Sequence, residues 1–137
     1  MPFVLDASVT AAWLLPDEAH PLTERVLDML AVDEALVPRI WWFEIRNLLL
    51  VSERRGRLLA SETKAILTNL STYPIHADDA PDEIEVLRLA RDYYMTFYDA
   101  SYVELALRLA LPIATLDRRM ANAAAAELVR QIPHSGH

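Results

Sequence analysis

Four carboxylates stand where this chain could turn them to chemistry: Asp6, Glu44, Asp99 and Asp117. Asp6 ends the apolar run Phe3-Val4-Leu5, and Asp117 follows Pro112-Ile113-Ala114-Thr115-Leu116. Asp99 is read as opening a helix after Thr96-Phe97-Tyr98, and Glu44 as lying inside an apolar helix that begins just after Ala35-Leu36-Val37. Oxygen-only ligands that converge on one point suit Mg²⁺ or Mn²⁺, and with them the hydrolysis of a phosphoryl ester. Two carboxylates about 5 Å apart repel by a gross ~3 kcal/mol at an effective dielectric near 20. Four at one spot therefore call for a cation. No histidine is placed for general acid–base work, since His20 and His76 read as loop or strand-end residues. The pattern points to a metal-dependent nuclease.

Each acid also has a purely structural reading. Asp6, Asp99 and Asp117 sit at strand-to-helix junctions, where a carboxylate can simply cap a helix; capping does not exclude ligation. Glu44 is the sharper signal. At 100° per residue its nearest neighbours on the helix are Ile40, Trp41, Asn47, Leu48, Val51 and Arg55, with Arg46 and Glu53 opposite. A carboxylate in such a stripe needs a partner, either a metal or a buried ion pair with Arg55. Ser8 and Thr115 each lie two residues from an acid, so their hydroxyls could orient a carboxylate from outside the ligand set or satisfy a helix start. Candidates for phosphate contact are Arg118 and Arg119, beside Asp117, and Arg54, Arg55 and Arg57, for which a solvated helix C-terminus is the alternative. The remaining acids, among them Asp17, Glu18, Asp78 and Glu85, read as solvated surface.

The elements that would position these groups alternate. Strand 3–6 precedes a helix over 8–15 that breaks near Pro16, and a second helix spans 18–32 with apolar Leu22, Val26, Leu27, Leu30 and Ala31. Strand 35–37 leads through Pro38 into helix 40–55, which Gly56 stops; Ser61 is the expected N-cap of helix 62–72. Strand 74–77, a helix from Pro81 to about 94, helix 99–110, strand 112–116 and helix 118–126 follow, with 128–132 as an edge strand. The expected domain is 1–132, with 133–137 as a frayed tail. Alternation of this kind implies an α/β fold with a parallel sheet covered on both faces, whose ligands bind beyond the carboxyl ends of the strands.

Composition removes other classes. The chain has 137 residues and no cysteine, so one domain without disulfides or thiolate metal sites is expected. Gly56 and Gly136 are its only glycines, too few for a dinucleotide fingerprint or a phosphate-binding loop, so no nucleotide cofactor is expected. The first residues read as no signal peptide and no apolar run approaches a membrane span; a cytoplasmic protein is the expectation. A net charge of −7 argues against broad, tight binding to duplex nucleic acid, although metal at the acids would offset it locally.

The segments Phe3-Val4-Leu5-Asp6-Ala7-Ser8, Glu44 after Pro38, Tyr98-Asp99-Ala100-Ser101-Tyr102 and Ala114-Thr115-Leu116-Asp117 together resemble the PIN domain, in particular the VapC-type toxins of bacterial toxin–antitoxin pairs. The resemblance spans essentially the whole chain. It implies a three-layer α/β/α sandwich and an endoribonuclease dependent on Mg²⁺ or Mn²⁺ that leaves 5′-phosphate and 3′-hydroxyl ends. It implies too a homodimer, and inhibition by a cognate antitoxin. Asp6, Glu44, Asp99 and Asp117 match the family's acidic positions, and Ser8 and Thr115 its assisting polar ones. Trp42, about 160° from Glu44 on the helix, is then a candidate dimer or antitoxin contact, with packing under helix 62–72 as the alternative; Trp13 and Trp41 are expected in the core. A phosphoaspartate phosphatase would want a second Asp where Ser8 stands, and a receiver domain a strand-end Lys where the sole lysine, Lys64, is helical. The non-catalytic rival is an interaction module whose acids only cap helices.

Overall fold

The computed structural model describes residues 1–15 and 20–134. Four short parallel strands form one sheet in the order β3-β2-β1-β4, comprising β1 (Phe3–Leu5), β2 (Ala35–Pro38), β3 (Ile75–Asp78) and β4 (Ile113–Ala114). Between them run α1 (Ala7–Leu14) and α2 (Pro21–Leu30), then α3 (Ile40–Arg54) and α4 (Ala60–Leu70), then α5 (Glu83–Tyr93) and α6 (Phe97–Leu109); α7 (Arg118–Ala126) follows β4. The central strands lack polar alternation because both faces are covered: Phe3, Val4, Leu5, Ala35, Val37, Ile113 and Ala114 are all buried. Helix α1 packs on α2 and α3, and α3 on α4, while α5, α6 and α7 form a second group, with α6 against β1 and β2. The three-layer sandwich expected from the sequence is present. No helix among the described residues is long and apolar enough to cross a membrane.

Strand order places the site. The chain steps outward from β1 to β2 to β3, then returns across the sheet to lay β4 on the other side of β1, with Val4 opposite Ile113 and Leu5 opposite Ala114. Connections therefore diverge between β1 and β4, the switch point beyond which parallel sheets bind ligands. Asp6 and Asp117 leave the sheet there.

Several local expectations are corrected. Helix α4 starts at Ala60, not after a Ser61 cap, because the Glu62 carboxylate reaches back to the Leu59 N–H at 2.9 Å. Helix α5 starts at Glu83 and not at Pro81, since Asp82 accepts from the Glu85 N–H. Helix α6 starts two residues before Asp99, capped by Thr96, whose hydroxyl accepts from the Asp99 N–H at 3.0 Å. The edge strand over 128–132 reduces to one bridge from Ile113 to Gln131, as Leu128 takes a left-handed φ of 63°. Gly56 does end α3, at φ 75°. The break near Pro16, the start of helix 18–32, Asp17, Glu18 and residues 135–137 lie outside the described residues. Within the expected frayed tail, His134 is held, its Nε2 3.2 Å from the Thr115 carbonyl.

Candidate functional site

Asp6 continues the β1–β4 ladder by one bond, its N–H donating to the Ala114 carbonyl at 3.0 Å, and then its backbone opens α1. It occupies the N-cap position without capping by its side chain. The carboxylate instead accepts from two hydroxyls at one oxygen, Oδ2: Ser8 at 2.6 Å and Thr115 at 2.8 Å. Ser8 also accepts the Leu116 N–H, and Thr115 the Asp117 N–H, both at 2.9 Å. The two hydroxyls thus tie the β1 junction to the β4 junction. Oδ1 accepts no hydrogen bond from the described residues, although Asp6 is only 4% exposed. Burial is the main reason the Asp6 carboxyl is pushed up to about 6; the two hydroxyls oppose this, and Glu44 and Asp99 add repulsion.

Glu44 lies one turn into α3, at the border of its buried stripe (Trp41, Ile45, Leu49, Ser52) and not within it. Its partner is not Arg55, which is exposed. The Tyr102 phenol, from α6, donates to Glu44 Oε1 at 2.6 Å, and Oε2 accepts nothing from the described residues. Burial raises the Glu44 carboxyl above its ordinary range, opposed by Tyr102 and reinforced by Asp99. Burial and the Glu44 charge likewise raise the phenol, so Tyr102 stays a donor. Asp99, half-buried in the first turn of α6, is raised by burial and then by Asp117; Thr96 and Arg119 act the other way. Asp117 caps α7, its Oδ1 accepting from the Met120 N–H at 2.9 Å.

Repulsion thus links the four acids in a chain, Asp6 with Glu44 and Asp99, Glu44 with Asp99, and Asp99 with Asp117. Among the described residues none of them makes an ion pair, and no group of three His, Asp or Glu side chains is placed to hold a metal ion. The donor chemistry nonetheless fits a hard divalent ion: carboxylate oxygens lacking a partner, groups raised by burial and mutual repulsion, and hydroxyls fixing one ligand.

Arginines divide into near and far. Arg118 and Arg119 are exposed on the first turn of α7, and Arg119 donates to the Tyr94 carbonyl at 2.7 Å while its charge acts on Asp99. Arg54, Arg55 and Arg57 gather at the far end of α3, ten residues from Glu44 to Arg54 or about 15 Å along the axis, and are not at the acids. The sequence pattern does not single out Tyr102, the donor to Glu44, though it lies three residues after Asp99 on one helix face.

A family model for the PIN domain matches residues 3–126. The chain belongs to the PIN-domain family. This PIN domain is 33% identical over 126 residues to Ribonuclease VapC3 of Pyrobaculum aerophilum, covering 89% of this chain and 94% of that one. Two solved structures share the fold of this PIN domain. PAE2754 from Pyrobaculum aerophilum has a TM-score of 0.74 at 21% identity, covering 96% of this chain and 89% of that one. FitAcB from Neisseria gonorrhoeae has a TM-score of 0.66 at 18% identity, covering 97% of each chain.

Proposed function

We propose that this chain is an endoribonuclease that hydrolyses RNA phosphodiesters with a divalent ion, Mg²⁺ or Mn²⁺, and acts in the cytoplasm as the toxin of a toxin–antitoxin pair. The single observation that carries the reading is four electrostatically linked carboxylates at the sheet's switch point, none of which is ion-paired by any described residue. Family membership and the likeness to a protein named as a ribonuclease support it.

Asp6, Glu44 and Asp99 would hold the ion, with Asp117 joining through the oxygen its helix cap leaves over. When bound, the ion supplies Lewis acidity toward the phosphodiester and lowers the pKa of water. The chain's own residues do the rest. Ser8 and Thr115 fix the Asp6 carboxylate and leave its other oxygen for the ion. Tyr102 holds Glu44 from the α6 side, acting as a positioning residue. Arg119 brings positive charge to the same edge, where a substrate phosphate would sit, with Arg118 beside it.

The partner surface is proposed on α3. Trp42 is 52% exposed, stacked under the Arg46 guanidinium at 4.1 Å and edge-on to the exposed Phe43. Aromatic anchors of this kind suit a homodimer or a cognate antitoxin, and a Trp42→Ala chain that kept both assemblies would count against the assignment.

The test is incubation of the purified protein with total cellular RNA in Mg²⁺, Mn²⁺ or EDTA, beside Asp6→Asn and Asp99→Asn. Discrete cleavage that EDTA stops, reduced at least ~100-fold in both variants and leaving 5′-phosphate ends, is expected. Undiminished cleavage in Asp99→Asn, or 2′,3′-cyclic phosphate ends alone, would overturn the reading.

A further inference from the structure

Tyr94 is the residue that the site described so far leaves unexplained. It follows α5 with a left-handed backbone, φ 57° and ψ 40°, where glycine or asparagine is the usual choice and a bulky side chain is strained. The residue is 86% exposed, so packing does not account for the choice. Ala110 and Leu128 share this conformation, as expected in a chain with two glycines, so the strain alone decides nothing.

Location sets Tyr94 apart. Arg119 grips its carbonyl at 2.7 Å, and the same guanidinium acts on Asp99. Shallow depressions lie on both sides of this turn. One is walled by Ala90, Arg91, Tyr94 and Met95, the other by Tyr93, Arg118, Arg119 and Asn122. An exposed ring, three exposed arginines and the edge of the acid cluster therefore fall on one stretch of surface. Single-stranded nucleic acid needs that combination, an aromatic face for a base and guanidinium groups for the backbone. Duplex offers no free base face.

We propose that Tyr94 is a stacking post for an unpaired nucleobase next to the phosphate that enters the acid site, with Arg119 holding the post and Arg118 and Arg91 contacting the flanking backbone. The inference rests on the ribonuclease reading and adds to it the place where one unpaired base is held. A protein partner on the same ring is the competing occupant.

The test uses fluorescence anisotropy of a fluorescein-labelled single-stranded adenosine 12-mer and of a 12-base-pair RNA duplex. Asp6→Asn is present in every protein so that the probes stay intact. Tyr94→Gly and Tyr94→Asn, both at ease at positive φ, should weaken binding of the single strand about tenfold and leave the duplex within twofold. Tyr94→Trp should restore the single strand, and Tyr94→Gly should melt no lower than its parent. Loss of affinity alongside an equal or higher melting temperature is what a merely structural tyrosine cannot give. Binding of the single strand within twofold of the parent in Tyr94→Gly would overturn the inference, as would equal losses on both probes. If the native chain cleaves RNA while Tyr94→Gly binds as its parent does, only this inference falls. If the native chain cleaves no RNA, the reading beneath it falls as well.

Discussion

Two groups of carboxylates in this molecule meet opposite treatment. On one flank of the sheet Arg108 bridges Asp78 at 2.6 Å and Glu104 at 2.9 Å, and Glu104 is only 2% exposed. On the α5–α7 side Arg88 gathers Glu85, Asp92 and Glu127, with Tyr93 also donating to Glu127. These arginines hold Asp78 and Glu127 below the ordinary carboxylate range. At the switch point Asp6, Glu44 and Asp99 are instead raised; hydroxyls hold Asp6 and Glu44, and Arg119 acts on Asp99 by its charge without an ion pair. Arginine thus ion-pairs the acids of those two groups, whereas the acids at the switch point have no ion-pair partner among the described residues. That contrast is the structural case for a bound cation, and it argues against the view that the acids merely cap helices.

The widest effect expected from the contrast is on pH. For Asp6 the folded value lies near 6 and the ordinary value is 3.8, so the folded, metal-free protein binds its proton more tightly than the unfolded chain does. Stability then falls as pH rises from about 4 through 6, by about 3 kcal/mol from Asp6 alone. Glu44 and Asp99 act in the same direction. Asp78 and Glu127 have the reverse sign, so their contribution is present above the ordinary carboxylate range and is lost as pH falls through their lowered values. Urea melts in EDTA should place maximal stability near pH 4–5, whereas excess Mn²⁺ should flatten the loss above pH 6. A metal-free protein more stable at pH 7.5 than at pH 5 would break the comparison.

Substitutions sharpen it next. Asp6→Asn keeps both hydroxyl partners and removes a charge that burial disfavours, so at pH 7.5 without metal it should gain about 1–3 kcal/mol. Glu104→Gln strips a buried charge from Arg108, which keeps Asp78, and should lose about 2 kcal/mol. Same-sign effects would mean that the two groups are not treated differently. The smallest expected effect is that of Tyr102→Phe, which leaves Glu44 without its donor and should cost about 1 kcal/mol in Mn²⁺ affinity, a tenfold loss or less. In a Glu44→Gln background the same change should have no further effect on Mn²⁺ affinity, which a double-mutant cycle by calorimetry would read.

Sequence made one half of the site legible and hid the other for a physical reason. Asp6 and Asp117 end apolar runs, and strand ends in a parallel sheet fix where the next residues point, so local pattern sufficed. Ser8 and Thr115 were legible for the same reason, because they sit at the same junctions. Asp99 is expected to open its helix and instead sits third in it, after Phe97 and Tyr98. Phe97 and Tyr98 look like the end of an apolar run, yet both are exposed, and the Thr96 cap three residues before Asp99 was the signal that would have corrected this. Glu44 lies shallower than its apolar neighbours on the helical wheel imply, because a wheel counts residue types and not what covers them. Its contact with Tyr102 spans 58 residues and depends on how α3 meets α6, which no local pattern encodes. Charge alone groups the arginines at the end of α3 with the site, whereas helix length carries them away from it.

The central claim is that these four acids make one divalent-ion site, and isothermal titration of Mn²⁺ at pH 6 tests it most directly. The native chain and Glu104→Gln should each show saturable binding centred on the four acids, with protons released as raised carboxyls give way to the ion. Asp99→Asn should lose that binding and its proton release. Equal binding by Asp99→Asn and the native chain, or none by either, would contradict the account.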